Sequence, residues 1–136
     1  MAVTTAQLKL DSAAGSLLTS VLAIDDTMTL YDKGTTTGMT KTTGLARQTF
    51  AAATATRILS ASDYTTNKCH KLYIKNTDSS GTHTVEIKIG DLSGTNLNLG
   101  FLDPDQWALI PWSAGADVNV ECSSASTVVE WMLIFE

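Results

Sequence analysis

Thr84-Val85-Glu86-Ile87-Lys88-Ile89 decides the fold of this chain. Apolar and polar residues alternate without a break, so Val85, Ile87 and Ile89 share one face of an extended strand while Glu86 and Lys88 point to water. A helix would need apolar residues at i, i+3, i+4 and i+7, and the stretch does not supply them. Turn residues bound it on both sides: Thr77-Asp78-Ser79-Ser80-Gly81 before it, Asp91 to Thr95 after it.

The same pattern repeats outward in both directions. Lys71-Leu72-Tyr73-Ile74-Lys75-Asn76 reads as the preceding strand, and Leu97, Leu99 and Phe101 alternate in the following one. Asp103-Pro104-Asp105 is a tight corner, in which proline pre-sets φ for the first central turn position. Gln106 to Trp112 is a strand whose Pro111 places it at a sheet edge or at its own end. Val118, Val120 and Cys122 alternate next, and Thr127 to Glu136 forms the last strand. Strands this short, with turns every 8–12 residues, predict a sandwich or barrel. We expect an antiparallel, jelly-roll-like β-sandwich with residues 51–136 as its body. The last strand carries Val129, Trp131, Leu133 and Phe135 on one face and Val128, Glu130, Met132 and Ile134 on the other. Being apolar on nearly both faces, it is expected either centrally between packed layers or covered by another subunit.

Residues 1–50 are less regular and are expected to form an N-terminal arm and the first strands. Gln7-Leu8-Lys9-Leu10, Ser16 to Ile24 and Thr27 to Tyr31 suit strands, although Leu17, Leu18, Val21 and Leu22 also suit a short helix. Asp32 to Gln48, with Gly34, Gly38 and Gly44 among many threonines, reads as an extended loop or arm that is either mobile or ordered by a partner. Arg57-Ile58-Leu59 starts a further strand.

Composition narrows the function. Only 17% of residues are charged, and 21 Thr and 12 Ser fill the gap. Threonine fits a pleated surface, and hydroxyls are less costly than charges to bury against a partner. The nine basic residues all lie within residues 1–88 with seven acids, whereas residues 89–136 hold seven acids alone, giving +2 and −7. Lys33 to Lys75 contains seven bases and one acid, Asp63, which suits docking on an acidic partner. A pI near 4.8 without aromatics among the bases argues against nucleic acid. The start Met1-Ala2-Val3-Thr4-Thr5 lacks a signal-peptide pattern, and no apolar run suits a membrane span. Cys69 and Cys122 are expected as reduced thiols in a protein made in a cytoplasm.

Catalytic patterns are weak. There is no Gly-x-Ser-x-Gly elbow, and Cys69 and His70, being adjacent, would point to opposite faces of a strand. Cys69, His70, His83 and Cys122 lack zinc-ligand spacing, and the acids match no calcium loop. We therefore expect no enzyme, no cofactor and no metal. Trp107 and Trp131 are expected in the core. Trp112, near a strand end, is expected to pack there or to meet a partner or a sugar.

Three pieces carry a resemblance. They are Leu72-Tyr73-Ile74-Lys75-Asn76 with its polar turn, the corner Leu102-Asp103-Pro104-Asp105-Gln106 leading into Ala108 to Trp112, and Val118 to Ser124 before Val129-Glu130-Trp131. Across about half the chain they resemble small β-sandwich virion proteins of tailed bacteriophages, of the capsid decoration (cement) type. One departure is Asp105, where a glycine is expected. The resemblance implies a virion protein that binds the major capsid protein or another virion component, assembles as a homo-oligomer, often a trimer, and contacts neither nucleic acid nor membrane. Lys33, Lys41, Arg47, Trp112, Trp131, Leu133 and Phe135 are the interface candidates. A tail fibre or adaptor component, or a carbohydrate-binding tip domain, is the alternative.

Overall fold

The computed structural model describes residues 4–13 and 22–135. Among the described residues eleven strands run in chain order: β1 (Thr5–Ser12), β2 (Leu22–Thr29), β3 (Lys41–Thr42), β4 (Ala46–Phe50), β5 (Thr56–Leu59), β6 (His70–Asn76), β7 (Val85–Gly90), β8 (Asn96–Leu102), β9 (Trp107–Trp112), β10 (Val118–Cys122) and β11 (Thr127–Phe135). A single 3-10 turn, Ala61–Asp63, is the one helical element among the described residues.

β4 to β11 form two antiparallel sheets. One has the order β5-β10-β7-β8; in the other β11 lies between β6 and the β3 and β4 segments, and β9 closes the far edge. First strand beside last, third beside sixth, is the strand order of a jelly roll, so the expected all-β sandwich is found. Inward residues of both sheets meet in one core: Leu72, Ile74, Val129, Trp131 and Leu133 from one, Val85, Ile87, Val118, Val120 and Cys122 from the other. Buried Asn76 fastens the two sheets at one corner. Its side-chain amide donates to His83 O at 2.7 Å and to Leu102 O at 3.1 Å.

β11 is central in its own sheet and has the opposite sheet on one face only. Its inner residues are buried, and its outer face is only partly covered except at Glu130. β9 is the edge, as Pro111 requires. The Asp103–Gln106 corner closes with Gln106 N–H donating to Asp103 O at 3.0 Å. Asp105 adopts φ +63° there, the left-handed conformation that a glycine would take most easily.

The Asp32 to Gln48 segment differs from expectation. Lys41 to Phe50 is an edge strand of the sandwich, ordered by the chain's own β11. It is interrupted at Gly44, φ +74°. Thr43 spans the gap: its N–H donates to Leu133 O at 3.0 Å, and its hydroxyl oxygen accepts from Leu133 N–H at 3.0 Å. The first strands expected within residues 1–50 thus include two, β3 and β4, that join the sheet of β11. The segment also supplies buried Met39 beside buried Leu30, with Met39 N–H bonded to Leu30 O. β2 runs unbroken through Asp25 and Asp26, joining two expected strands. The helix alternative falls outside the described residues except at Leu22, which opens β2.

Candidate interaction surface

β1 and β2 form a separate two-stranded hairpin in full register from Thr5↔Thr29 to Ser12↔Leu22. Because side chains alternate, the pairing sorts them by polarity. Ala6, Leu8 and Leu10 share a face with Met28, Asp26 and Ile24, while Gln7, Lys9 and Asp11 share the other with Thr27, Asp25 and Ala23. The first face is apolar except at Asp26, yet Leu8, Leu10, Ile24 and Met28 are 40–47% exposed. At its base the ladder continues with Leu30 N–H donating to Thr4 O at 2.9 Å, and the chain just after it is tied on by Met39 N–H donating to Leu30 O at 2.9 Å and by the Lys68–Asp32 ion pair at 2.7 Å.

The apolar face leans toward β9 and leaves a groove of about 600 Å³. Ala6, Leu8, Leu10 and Met28 form one wall, Trp107, Ala108 and Leu109 the other, and Asp26 is the one charge on the apolar wall. Trp107, expected in the core, is 54% exposed. It pairs with Lys75 on the outer face of β6, because the register that turns Ala108 and Ile110 inward turns Trp107 and Leu109 outward.

From this groove the outer sheet face continues across three strands through Leu109, Tyr73 and Met132, which are in register. A charged knot crosses it. Arg47 Nη2 lies 2.7 Å from Glu130 Oε2, and Tyr73 O–H donates to Glu130 Oε1 at 3.3 Å. The Arg47 hydrogen bond, helped by Tyr73, holds Glu130 below the ordinary glutamate range against the opposing effect of burial. Burial and the Glu130 charge push the Tyr73 hydroxyl up.

The interface candidates do not form one surface. Arg47 lies on this outer face, and Lys41 is exposed on β3. Lys33 lines a separate depression with Lys68, Cys69 and Pro111 on the far end of β9. Trp131 and Leu133 point inward into the core, Trp131 stacking against Phe50 at 6.0 Å. Trp112 is 5% exposed, donates Nε1–H to Ala116 O at 2.9 Å and meets Tyr64 edge-on at 5.4 Å. Phe135 is half-buried against Tyr64. Burial thus removes Trp112, Trp131 and Leu133 from any surface of the folded chain: the inner face of a central strand is filled by the opposite sheet. Leu8, Leu10, Ile24, Met28 and Trp107 take their place. Alternation in Gln7 to Leu10 signalled the hairpin face, but which side would remain uncovered depended on the tertiary arrangement.

His70 is fully buried among Tyr64, Trp112 and Phe135, with Nε2–H donating to Thr65 O at 3.0 Å. Among the described residues no three His, Cys, Asp or Glu side chains are grouped to hold a metal ion, and no helix is long and apolar enough to cross a membrane. A second apolar strip lies on β8, an edge strand, where Leu97, Leu99 and Phe101 are exposed. A bulge there sets two β8 residues against one step of β7, between Ile87 and Lys88, and breaks the flatness of that edge.

Comparison of the chain with protein-family models, with curated proteins and with solved structures finds no match.

Proposed function

We propose that this chain is a structural subunit of a tailed-bacteriophage virion, a capsid decoration protein that binds the outer shell and stabilises it without catalysis. The observation that carries the reading is the apolar surface left open on two sides of a well-packed sandwich. One part is the hairpin's apolar face with Trp107, and the other is the β8 strip of Leu97, Leu99 and Phe101. Monomeric soluble proteins seldom expose a contiguous apolar patch of this kind unless another protein covers it. Jelly rolls recur in viral shells, which supports the reading by analogy of architecture. The hydroxyl-rich, charge-poor surface adds to it, since few charges need desolvation when such a protein is packed into a shell.

The partner is the major capsid protein or a neighbouring virion protein. A large number of modest contacts repeated by symmetry then raises the stability of the whole particle. A place in the tail differs only in location. The carbohydrate-binding tip reading needs Trp112 open beside Tyr64 or Tyr73, but Trp112 and Tyr64 pack on each other.

The test is to mix purified protein with shells that lack decoration. Co-sedimentation of the two and a higher shell disruption temperature are expected. No co-sedimentation and an unchanged disruption temperature would overturn the reading.

A further inference from the structure

We infer that the groove between the β1–β2 hairpin and β9 is filled by the hairpin of a second copy of this chain, in a reciprocal pair. The hairpin needs a cover. A two-stranded ribbon is at best marginally stable in water, and the large apolar side chains of this one are only about half covered by the body. Three features point to a second copy as that cover.

The first is shape. The groove is walled by the same apolar face, Ala6, Leu8, Leu10 and Met28, that would have to fill it. A surface that is both wall and filler is self-complementary, and two copies related by a two-fold axis bury it on both sides at once.

The second is area. Leu8, Leu10, Ile24 and Met28 are 40–47% exposed and Trp107 is 54% exposed. At roughly 200 Å² per large side chain, these five leave about 450 Å² of apolar surface per copy. Doubled, and taken as ~60% of an interface, this corresponds to about 1,500 Å² in total, the size of a specific and stable contact.

The third is charge. Asp26 is the one charge on the hairpin's apolar face, because Lys9 lies on the other face and pairs with Asp11 at 3.2 Å. A largely apolar cover such as this same face suits the groove, whereas a strongly charged partner would have to bury charges there without partners.

This pairing goes beyond shell binding and does not rest on it: it takes up the hairpin face and leaves the exposed β8 strip of Leu97, Leu99 and Phe101 for the shell; a two-fold pair is also distinct from the trimer that the phage resemblance implies. Trp107 is the natural reporter, being far more exposed than Trp112 and Trp131. The experiment is sedimentation of the full chain up to about 100 μM, where a micromolar contact is filled. A dimer is expected, with a concentration-dependent blue shift of tryptophan emission. Leu10→Glu should weaken the pair by at least ~30-fold. Trp107→Ala, on the sandwich wall of the groove and not in the hairpin's own strands, should weaken it by about 10-fold, which guards against a hairpin that merely fails to fold. Leu45→Glu, at an exposed site outside the groove, should leave the dimer intact. A monomer at the highest concentration, a trimer, a dimer indifferent to both Leu10→Glu and Trp107→Ala, or one as sensitive to Leu45→Glu would each overturn the inference. Shell binding by a strict monomer would overturn it while leaving the proposed function standing.

Discussion

Trp112→Ala should destabilise the protein by about 4 kcal/mol, and Trp107→Ala by less than about 1 kcal/mol. Both residues lie on β9, five positions apart, and the difference comes from the side of the sheet each one faces. Trp112 is 5% exposed, so truncation opens a cavity that the surrounding sandwich can refill only in part. Buried tryptophan to alanine changes cost about 3–5 kcal/mol. Within that sum, the edge-on contact with Tyr64 at 5.4 Å accounts for about 1 kcal/mol. The hydrogen bond from Nε1 to Ala116 O at 2.9 Å accounts for about another 1 kcal/mol. Trp112→Phe keeps most of the ring and loses that donor, so about 1.5 kcal/mol is expected for it. For a domain of this length, 4 kcal/mol lowers Tm by about 14 °C. The assay is urea unfolding followed by far-UV circular dichroism, which does not depend on the altered fluorophore. Equal m values would show that the variants differ in stability and not in the surface exposed on unfolding. Trp112→Ala within 1 kcal/mol of the unaltered protein, or Trp107→Ala costing more than Trp112→Ala, would refute the assignment of inner and outer faces to β9.

Two further predictions concern titration. Glu130 is depressed in the folded state by Arg47, so its contribution is present above the unfolded glutamate value of 4.5 and is lost as pH falls through the folded value. Asp117, held down by Arg57, behaves alike. Stability should therefore fall on acidification below about pH 4.5, and less steeply in Glu130→Gln; urea midpoints measured from pH 7 to pH 2 check this, and equal slopes for both proteins would contradict it. Burial pushes the Cys122 thiol up to about 11, so it should not react in the native protein, whereas half-buried Cys69 should. One thiol titrated without denaturant and two with it is the expected count; rapid native labelling of Cys122 would show that the core around β10 opens.

The strand pattern of residues 71–135 was legible because each strand has one dry face, and alternation records that directly. Thr84 to Ile89 and Val118 to Cys122 show it most plainly. The edge position of β9 was legible from Pro111, which cannot donate to a further strand. Lys41 to Phe50 was not legible as a strand. It carries few apolar residues, and its order comes from the ladder it shares with β11, a partner some 85 residues away in the chain. Glu130 was readable as outward but not as paired, since Arg47 and Tyr73 reach it only through that same register.

Sequence alone determined that the chain is all-β, where most turns fall and which residues alternate. Tertiary structure decided which of two equivalent-looking faces became core. Trp107 and Trp112 belong to one strand, and nothing local distinguishes them. The opposite sheet covers the side bearing Trp112 and leaves the side bearing Trp107 open. The hairpin repeats the case: its apolar face is written in the alternation of Ala6, Leu8 and Leu10, but its exposure is not. Periodicity fixes what shares a face, because the pleat has a period of two. What covers that face is a property of the neighbouring elements, and so of the assembled fold.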